Sequence, residues 1–371
     1  MTGTLRQYLR WAVASAVALA ALAGAASAMA TSPAASVYTQ TNDPAGNRVQ
    51  VLEPSQGGAL TRTRSFPTGG QGSGAGLGSQ GAVVIAHRWL LAVNAGSDEL
   101  SLFRVRRRGL ALSDVVPSGG DQPVSVTSDG RRVYVLNAGE QAGVAGFDIR
   151  GDGRLVPILA STQPLSAPGA GPAQIERSPD GRTLVVTEKN TNRIGTYPVA
   201  GDGTVGTPTF TTSAGETPFG FAFDARGRLF ASEAFGGRPG ESAVSSYALV
   251  AGGGVAPISP VVRTGQTAAC WVVLTKDGRF AYTTNTGSDS VTGYRVAKDG
   301  AVALLDADGV TATTGDAPTD MVLDRTGRVL YVLNGAEGSI SAFTVGTHGD
   351  LGAIGTVSGL PAGAVAGLAA R

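Results

Sequence analysis

The chain repeats one pattern along nearly its whole length. Each copy has a short apolar strand, an Asp-Gly-Arg type of turn, a second apolar strand that usually ends in Asn, and a third strand. Residues 123–137 with 144–149 form one copy, and 318–334 with 339–345 form another. The second strands end 43 to 52 residues apart, at Asn42, Asn94, Asn137, Glu188, Glu233, Asn285 and Asn334. Units of this length with four strands each are typical of propeller blades.

The two ends of the chain predict a closed ring. The first copy lacks its opening strand and starts at Val37, whereas the segment 361–369 reads as an opening strand with nothing after it. Joined, they complete one blade and leave no long unpaired sheet edge. No copy carries a helical apolar stripe. We therefore expect an all-β, seven-bladed β-propeller of four-stranded blades, with the N- and C-terminal segments sharing one blade.

Residues 1–30 have the layout of a secretory signal peptide. Arg6 and Arg10 precede the apolar run 11–23, and small residues offer cleavage after Ala28 or Ala30. The alternative is an uncleaved anchor, but this run is shorter than the ~20 apolar residues that span a bilayer. The sequence thus predicts a secreted or periplasmic (cell-envelope) protein with one propeller domain, residues 31–371, and no membrane span after cleavage.

Charge and composition exclude several partners and chemistries. Removing the signal leaves 27 of the 29 basic residues against 28 acidic ones, so no net basic excess draws the protein to nucleic acid or anionic lipid. Cys270 is the single cysteine, and two His residues are too few for a Ser-His-Asp triad or a His-based metal site. We expect a monomer without cofactor or metal. The glycine-rich segment 68–81 is interpreted as a surface loop.

Propeller geometry predicts which side chains meet at the axis. The first strand starts, and the second ends, on one face, which we call the mouth face; the Asp-Gly turns lie on the opposite turn face. Counting back from the turns places four side chains around the mouth: Gln80, Gln174, Trp271 and Asp320. The strand-two ends stand beside them, namely Asn94, Asn137, Asn285 and Asn334, with Glu188 and Glu233.

These residues suggest a small-ligand site at the mouth. Glu188 and Glu233 replace Asn at equivalent positions, which makes them the candidate catalytic acids. The Asn residues have an alternative role as caps of strand ends. Trp271 is either a packed plug or a platform for ligand.

The segments 171–182, 179–188 and 331–334 resemble repeats of lactonase-family seven-bladed propellers, which include 6-phosphogluconolactonase-like and carboxymuconate-cyclase-like proteins. Residues 77–81, 232–237 and 266–271 are similar to a secreted bacterial subgroup. The enzymatic relatives commonly have Gly-Pro-Arg-His and then Asn-Glu at the next strand end. Here Gly171-Pro172 is followed by Ala173-Gln174, and the strand ends Thr187-Glu188-Lys189.

The resemblance implies a hydrolase of small carbohydrate or carboxylate lactones. In that interpretation Glu188 or Glu233 activates water, while Gln80, Gln174 and the Asn side chains orient the carbonyl. The missing Arg-His pair supports an alternative, an exported propeller that binds a small ligand or a partner protein at the mouth without turnover. The sequence leaves both open.

Overall fold

The computed structural model describes residues 36–371; the signal-peptide prediction lies outside this part of the chain. Seven antiparallel sheets form the blades, and within the described residues the one helix is a 3-10 turn, Phe235–Gly237. The prediction of an all-β, seven-bladed propeller is confirmed. No helix in residues 36–371 has the length and apolar character needed to cross a bilayer.

Blades 1 to 4 comprise the following strands, each blade from the axis outward. Blade 1 contains β30 (Ala366–Ala370), β1 (Val37–Gln40), β2 (Arg48–Pro54) and β3 (Leu60–Pro67). Blade 2 contains β4 (Val83–Ala86), β5 (Trp89–Asn94), β6 (Glu99–Arg106) and β7 (Gly109–Pro117). Blade 3 contains β8 (Pro123–Ser128), β9 (Arg132–Asn137), β10 (Gly143–Ile149) and β11 (Leu155–Pro157), with β12 (Gln163–Pro164) also on β10. Blade 4 contains β13 (Pro172–Arg177), β14 (Thr183–Glu188), β15 (Arg193–Pro198) and β16 (Thr209–Thr212).

Blades 5 to 7 follow the same order. Blade 5 contains β17 (Pro218–Phe223), β18 (Arg228–Glu233), β19 (Ala243–Leu249) and β20 (Val255–Arg263). Blade 6 contains β21 (Ala269–Leu274), β22 (Phe280–Asn285), β23 (Ser290–Val296) and β24 (Val302–Leu304), with β25 (Ala312–Thr313) also on β23. Blade 7 contains β26 (Pro318–Leu323), β27 (Val329–Asn334), β28 (Ser339–Val345) and β29 (Leu351–Ser358).

Strand β30 closes the ring by pairing with β1. The two strands are antiparallel, with Val37 opposite Ala370 and Tyr38 opposite Ala369. The C-terminal segment therefore supplies the innermost strand of the blade that the N-terminal segment begins, as the sequence predicted. This arrangement gives the first blade its inner strand from the far end of the chain.

A repeated side-chain clasp sets neighbouring blades in register at the mouth face. Asp98 Oδ1 accepts the N–H of Gln122 at 2.7 Å, and Asp289 Oδ1 accepts that of Ala317 at 2.8 Å. Asn192 Oδ1 accepts the N–H of Thr217 in the same way, at 2.7 Å. Each donor residue has a positive φ and precedes the proline that starts an inner strand. The clasps therefore link the end of one blade's second strand to the start of the next blade.

The core lies between the blades because each sheet packs its two faces on its neighbours. Fully buried tyrosines anchor this packing at the turn face: the Tyr134 hydroxyl donates to Gly203 O at 3.0 Å, and the Tyr282 hydroxyl donates to Gly349 O at 2.9 Å. Each of these contacts reaches the outer turn of the next blade. Burying the aromatic rings supplies apolar contact area, and the hydrogen bonds satisfy their polar ends.

The segment 68–81 is a surface loop in its middle part, where residues 73–76 are exposed, but not at its C-terminal end. Its last residues enter the axial channel, where Ser79 is 5% exposed. The Gln80 amide spans the axis from blade 2 to blade 6: its Nε2 donates to Val272 O at 3.1 Å, and its Oε1 accepts Val272 N–H at 3.2 Å. We call residues 76–82 the plug. Glycine is required on the approach to it, since a Cβ on Gly72 would lie 2.0 Å from the backbone of Asn42.

Candidate functional site

A cavity of about 400 Å³ opens on the mouth face, above the plug. We call it the mouth pocket. Its apolar and sulfur-bearing walls come from the plug, blade 5 and blade 6, namely Leu77, Phe219, Cys270 and Trp271. Its polar and small walls come from the plug and from blades 6, 7 and 1, namely Ser79, Thr286, Thr319, Ala336 and Gly363. The volume suits a small organic molecule.

Trp271 both contacts the plug and lines the mouth pocket. The side chain is 3% exposed, and its indole Nε1–H donates to Ser79 O at 2.9 Å. Its ring centroid lies 5.2 Å from that of Phe219, with the rings tilted by 57°. Of the site residues predicted from the sequence, Trp271 is the one that lines the mouth pocket.

Lys189 is the charged side chain that the sequence prediction missed. It follows Glu188 at the end of β14, and its ammonium contacts two pocket-lining residues: Nζ donates to Gly78 O at 2.7 Å and lies 4.7 Å from the Phe219 ring centroid. Burial lowers the pKa of Lys189. Strand alternation could have identified Lys189 from the sequence, because successive side chains on a strand point to opposite faces of the sheet and Lys189 directly follows Glu188.

Glu188 and Glu233 do not line the mouth pocket, which corrects their expected position. Both are fully buried. Glu188 accepts Ser166 N–H at 2.9 Å and the Thr191 hydroxyl at 2.6 Å. The physical reason is that the two faces of a blade point toward the neighbouring blades. The last residue of β14 faces the loop that leaves blade 3, whereas Thr187 and Lys189 face Phe219 of blade 5.

Glu233 is enclosed by donors in the same way. Its carboxylate accepts Gly215 N–H at 2.7 Å, the Ser245 hydroxyl at 2.8 Å and the Tyr247 hydroxyl at 2.9 Å. Burial raises the pKa of Glu233, and these hydrogen bonds oppose that rise. The contacts hold the loop between β16 and β17 against β19. Glu233 therefore joins neighbouring blades within the fold.

Three of the four strand-two asparagines make equivalent contacts to the third strand of their blade, which favours the capping role. Nδ2 of Asn94 donates to the Ser101 hydroxyl at 2.7 Å. In the same way, Nδ2 of Asn285 donates to the Thr292 hydroxyl at 2.8 Å, and Nδ2 of Asn334 donates to the Ser341 hydroxyl at 2.9 Å. The Ser118 hydroxyl donates to Asn137 Oδ1 at 2.7 Å. All four amides are buried, and none lines the mouth pocket.

The remaining predicted residues lie in the channel but bind backbone. Gln174 clamps Phe221, accepting its N–H at 2.7 Å and donating to its carbonyl at 2.8 Å, as Gln80 clamps Val272. The carboxyl of Asp320 accepts Leu368 N–H of the closing strand at 2.9 Å, and burial raises its pKa well above the usual range. These side chains position the inner strands below the pocket.

Cys270 lines the pocket as a protonated thiol. Its Sγ–H donates to Ala268 O at 3.2 Å, and burial raises its pKa to about 12. A thiol with that pKa carries almost no thiolate near neutral pH, so it is unsuited to nucleophilic attack. Among residues 36–371 no cluster of three or more His, Cys, Asp or Glu side chains could hold a metal ion.

Glu176 is a lone acid deeper in the channel, also missed by the sequence analysis. It is half-buried, two residues after Gln174, whose Nε2 donates to Glu176 Oε2 at 3.2 Å. The strand register places apolar residues at the same level in four other blades: Val84, Ala222, Val273 and Val322. Burial among them raises the pKa of Glu176 to about 8.

A second cavity, about 320 Å³, lies on the turn face between blades 4 and 5. Its arginines are already engaged: Arg228 forms an ion pair with Asp224 at 2.6 Å, and Arg226 donates to Lys298 O at 2.5 Å. The mouth pocket therefore remains the better candidate site, because it combines aromatic walls with a cation at its edge.

Comparison with known proteins identifies related sequences and folds. The family described as "Lactonase, 7-bladed beta-propeller" matches residues 128–234 and 250–365. A putative 6-phosphogluconolactonase from Bacteroides uniformis ATCC 8492 is 17% identical, with a TM-score of 0.72 over 91% of this chain and 99% of that one. The periplasmic gluconolactonase PpgL of Pseudomonas aeruginosa is 20% identical, with a TM-score of 0.71 over 91% and 98%. No curated protein matches the chain.

Proposed function

Since the chain belongs to the family of lactonase seven-bladed β-propellers, we propose that it hydrolyses a small carbohydrate or carboxylate lactone in the mouth pocket. The observation that carries this proposal is the ammonium of Lys189 at the edge of the pocket, beside Phe219 and Gly78. The gluconolactonase activities named for the structural neighbours support the same class of substrate.

The chemistry of lactone opening requires stabilisation of one developing charge. Water attacks the ring carbonyl, the carbonyl oxygen becomes an oxyanion, and the acyl–oxygen bond breaks to give a hydroxy acid. A cation close to that oxygen, in a site shielded from water, stabilises the oxyanion. Lys189 is placed for this role if its ammonium exchanges Gly78 O for the substrate oxygen. Because its pKa is lowered, it also donates a proton to the departing ring oxygen more readily than an exposed lysine does. The proton lost by the attacking water then restores the ammonium.

The aromatic wall of the pocket suits the ring of such a substrate. Phe219 is partly exposed and stands against Trp271, with Lys189 over its ring. The apolar face of a sugar ring packs on aromatic carbon, while Thr286 and Thr319 add polar groups to the pocket lining. We assign substrate orientation to these lining residues.

We further propose that the protein is exported by residues 1–30 and works in the periplasm or outside the cell. The basic and apolar pattern of those residues supports export. The periplasmic location given for the Pseudomonas aeruginosa neighbour is in keeping with it.

A second function, ligand binding without turnover, is favoured by one specific observation. None of the residues that line the mouth pocket is an acid, an arginine or a histidine. The pocket thus offers no carboxylate or imidazole to activate water. A bound lactone or hydroxy acid would then stabilise the protein without being converted.

A base-titration assay of acid release separates the two functions. The panel contains D-glucono-1,5-lactone, its 6-phosphate and a carboxylate lactone, and the variants are Lys189→Met and the matched control Lys276→Met, whose side chain is exposed on the turn face. We expect hydrolysis above the spontaneous rate, a fall of about 10²-fold in kcat for Lys189→Met, and no change for the control. Equal rates for wild type and Lys189→Met would refute the role of Lys189.

Absence of hydrolysis across the panel would reject the enzymatic proposal. In that case thermal melting tests the binding function, since ligand at 100 times its Kd adds about 2.7 kcal/mol of stability. A rise in Tm with lactone or hydroxy acid that Lys189→Met abolishes would establish binding at this pocket. No rise for any compound would reject both functions.

A further inference from the structure

One sector of the turn face carries a group of exposed arginines. In blade 2, Arg88 lies in the β4–β5 turn, and three consecutive arginines, 106–108, end β6 and form the turn into β7. In blade 3, Arg131 lies in the β8–β9 turn and Arg150 follows β10. We call Arg88, Arg106, Arg107, Arg108, Arg131 and Arg150 the arginine patch.

The four turns that carry the patch form one continuous surface. Within blade 2, the N–H of Val105 donates to Arg88 O at 2.8 Å, and within blade 3 the N–H of Ile149 donates to Arg131 O at 2.7 Å. The two blades touch through His87, because a Cβ on Gly130 would lie 2.4 Å from the His87 ring. The patch is therefore a single area across neighbouring blades.

The positive charge of this area is not balanced locally. Over the described part of the chain, none of the six arginines takes part in an ion pair. The nearby acids form ion pairs with arginines outside the patch: Asp129 pairs with Arg177, and Asp148 lies 3.7 Å from Arg132. Asp152 shares its turn with Arg154, so these two charges offset each other.

The opposite face carries more exposed acids than exposed arginines. The mouth face exposes the acids Asp98, Glu140, Glu216, Asp289, Asp316 and Glu337 against the arginines Arg48, Arg193, Arg238 and Arg263. The net charge near zero therefore conceals a separation of charge between the two ends of the ring. The expectation that anionic lipid is disfavoured, which rested on net charge, does not apply to the arginine patch.

We propose that the arginine patch docks the propeller on a bilayer containing anionic phospholipids, with the mouth face turned to solution. Guanidinium groups bind phosphate oxygens in bidentate fashion, and basic residues close to an anionic leaflet are attracted individually. This docking is independent of lactone hydrolysis. It would leave the mouth pocket open on the side away from the lipid.

A lipid surface fits the patch better than nucleic acid does. The charges are spread over four turns at one end of the ring. Binding of single strands relies on aromatic side chains that stack on bases, but Trp89, the aromatic next to the patch, is 1% exposed. The guanidinium carbons of Arg88 and Arg104 lie 5.1 and 4.7 Å from its ring centroid.

Vesicle co-sedimentation of the full chain tests the proposal. Vesicles of phosphatidylcholine alone measure binding that needs no anionic headgroup, and vesicles mixed with phosphatidylglycerol add that headgroup. Residues 1–30, with Arg6 and Arg10, are the same in every variant, so their contribution cancels in the comparison. The patch variant carries four substitutions, Arg106→Gln, Arg107→Gln, Arg108→Gln and Arg131→Gln. The matched control removes four exposed arginines of the mouth face, by Arg48→Gln, Arg193→Gln, Arg238→Gln and Arg263→Gln.

We expect binding that requires phosphatidylglycerol, weakens with salt, and falls at least about tenfold in the patch variant but not in the control. The Arg→Lys versions of the four patch substitutions keep the charge and should retain most of the binding. No preference for phosphatidylglycerol, or equal losses in patch and control variants of unchanged Tm, would overturn the proposal. Patch-dependent binding of a DNA oligonucleotide without vesicle binding would overturn it in favour of nucleic acid.

Discussion

The indole N–H of Trp271 donates to the carbonyl oxygen of Ser79 at 2.9 Å. The two residues lie 192 positions apart, on blade 6 and on the segment leading into blade 2. This bond fixes the plug under the mouth pocket, and the same indole forms part of the pocket wall. The floor of the pocket is therefore built by a contact across the ring axis.

Substitution of Trp271 by Phe should loosen the plug. The change removes the donor and leaves the buried Ser79 carbonyl without it, which costs about 1–3 kcal/mol in the free energy of unfolding. Hydrogen exchange should accelerate at residues 76–82, measured by mass spectrometry. Trp89→Phe is the control, because that ring packs between blades 2 and 3 and should leave exchange in the plug unchanged. Equal exchange in both variants would contradict the role of the bond.

Glu233→Ala should destabilise the fold without acting directly on the pocket. The substitution leaves the N–H of Gly215 and the hydroxyls of Ser245 and Tyr247 without their buried acceptor, at a cost of about 2–4 kcal/mol. Glu233→Gln keeps one acceptor oxygen and should cost less. Urea unfolding measures both. If Glu233→Gln is as stable as wild type but loses lactone hydrolysis, Glu233 has a chemical role that its position does not indicate.

Glu176 should make the stability depend on pH. Its pKa in the folded protein is about 8, above the usual 4.5, so between these values the native state holds a proton that the unfolded chain has released. The contribution of this proton to the free energy of unfolding is fully present below about pH 4.5 and is lost as the pH rises through 8. Glu176→Gln should therefore raise Tm relative to wild type at pH 8.5 and leave it nearly unchanged at pH 4. Parallel Tm curves for the two proteins would contradict the raised pKa of Glu176.

The repeat was sufficient to predict the blades and the closure of the ring. Strand-two ends such as Asn94 and Asn334 recur with the spacing of four-stranded blades, and Val37 and Ala369 lie on the two terminal segments that complete one blade. The pattern is local in blades 2 to 7, because each of these is a sheet of consecutive strands. Local spacing was therefore enough to predict the architecture.

The site could not be predicted to the same extent. The sequence brings Glu188 to the mouth face, but whether it or Lys189 meets the axis depends on which neighbouring blade each sheet face contacts. The glycine-rich composition of 68–81 likewise does not reveal that Ser79 meets Trp271 across the channel. Contacts between residues so far apart in the chain follow from the closed ring and not from the repeat.

Ligand position in the mouth pocket is the most direct test of the proposed site. A crystal structure with the hydroxy acid of D-glucono-1,5-lactone should show the molecule against Phe219 and Trp271, with its carboxylate within hydrogen-bond distance of Lys189 Nζ. Ligand bound elsewhere, or an empty pocket at saturating concentration with Lys189 still donating to Gly78 O, would contradict the assignment of this pocket.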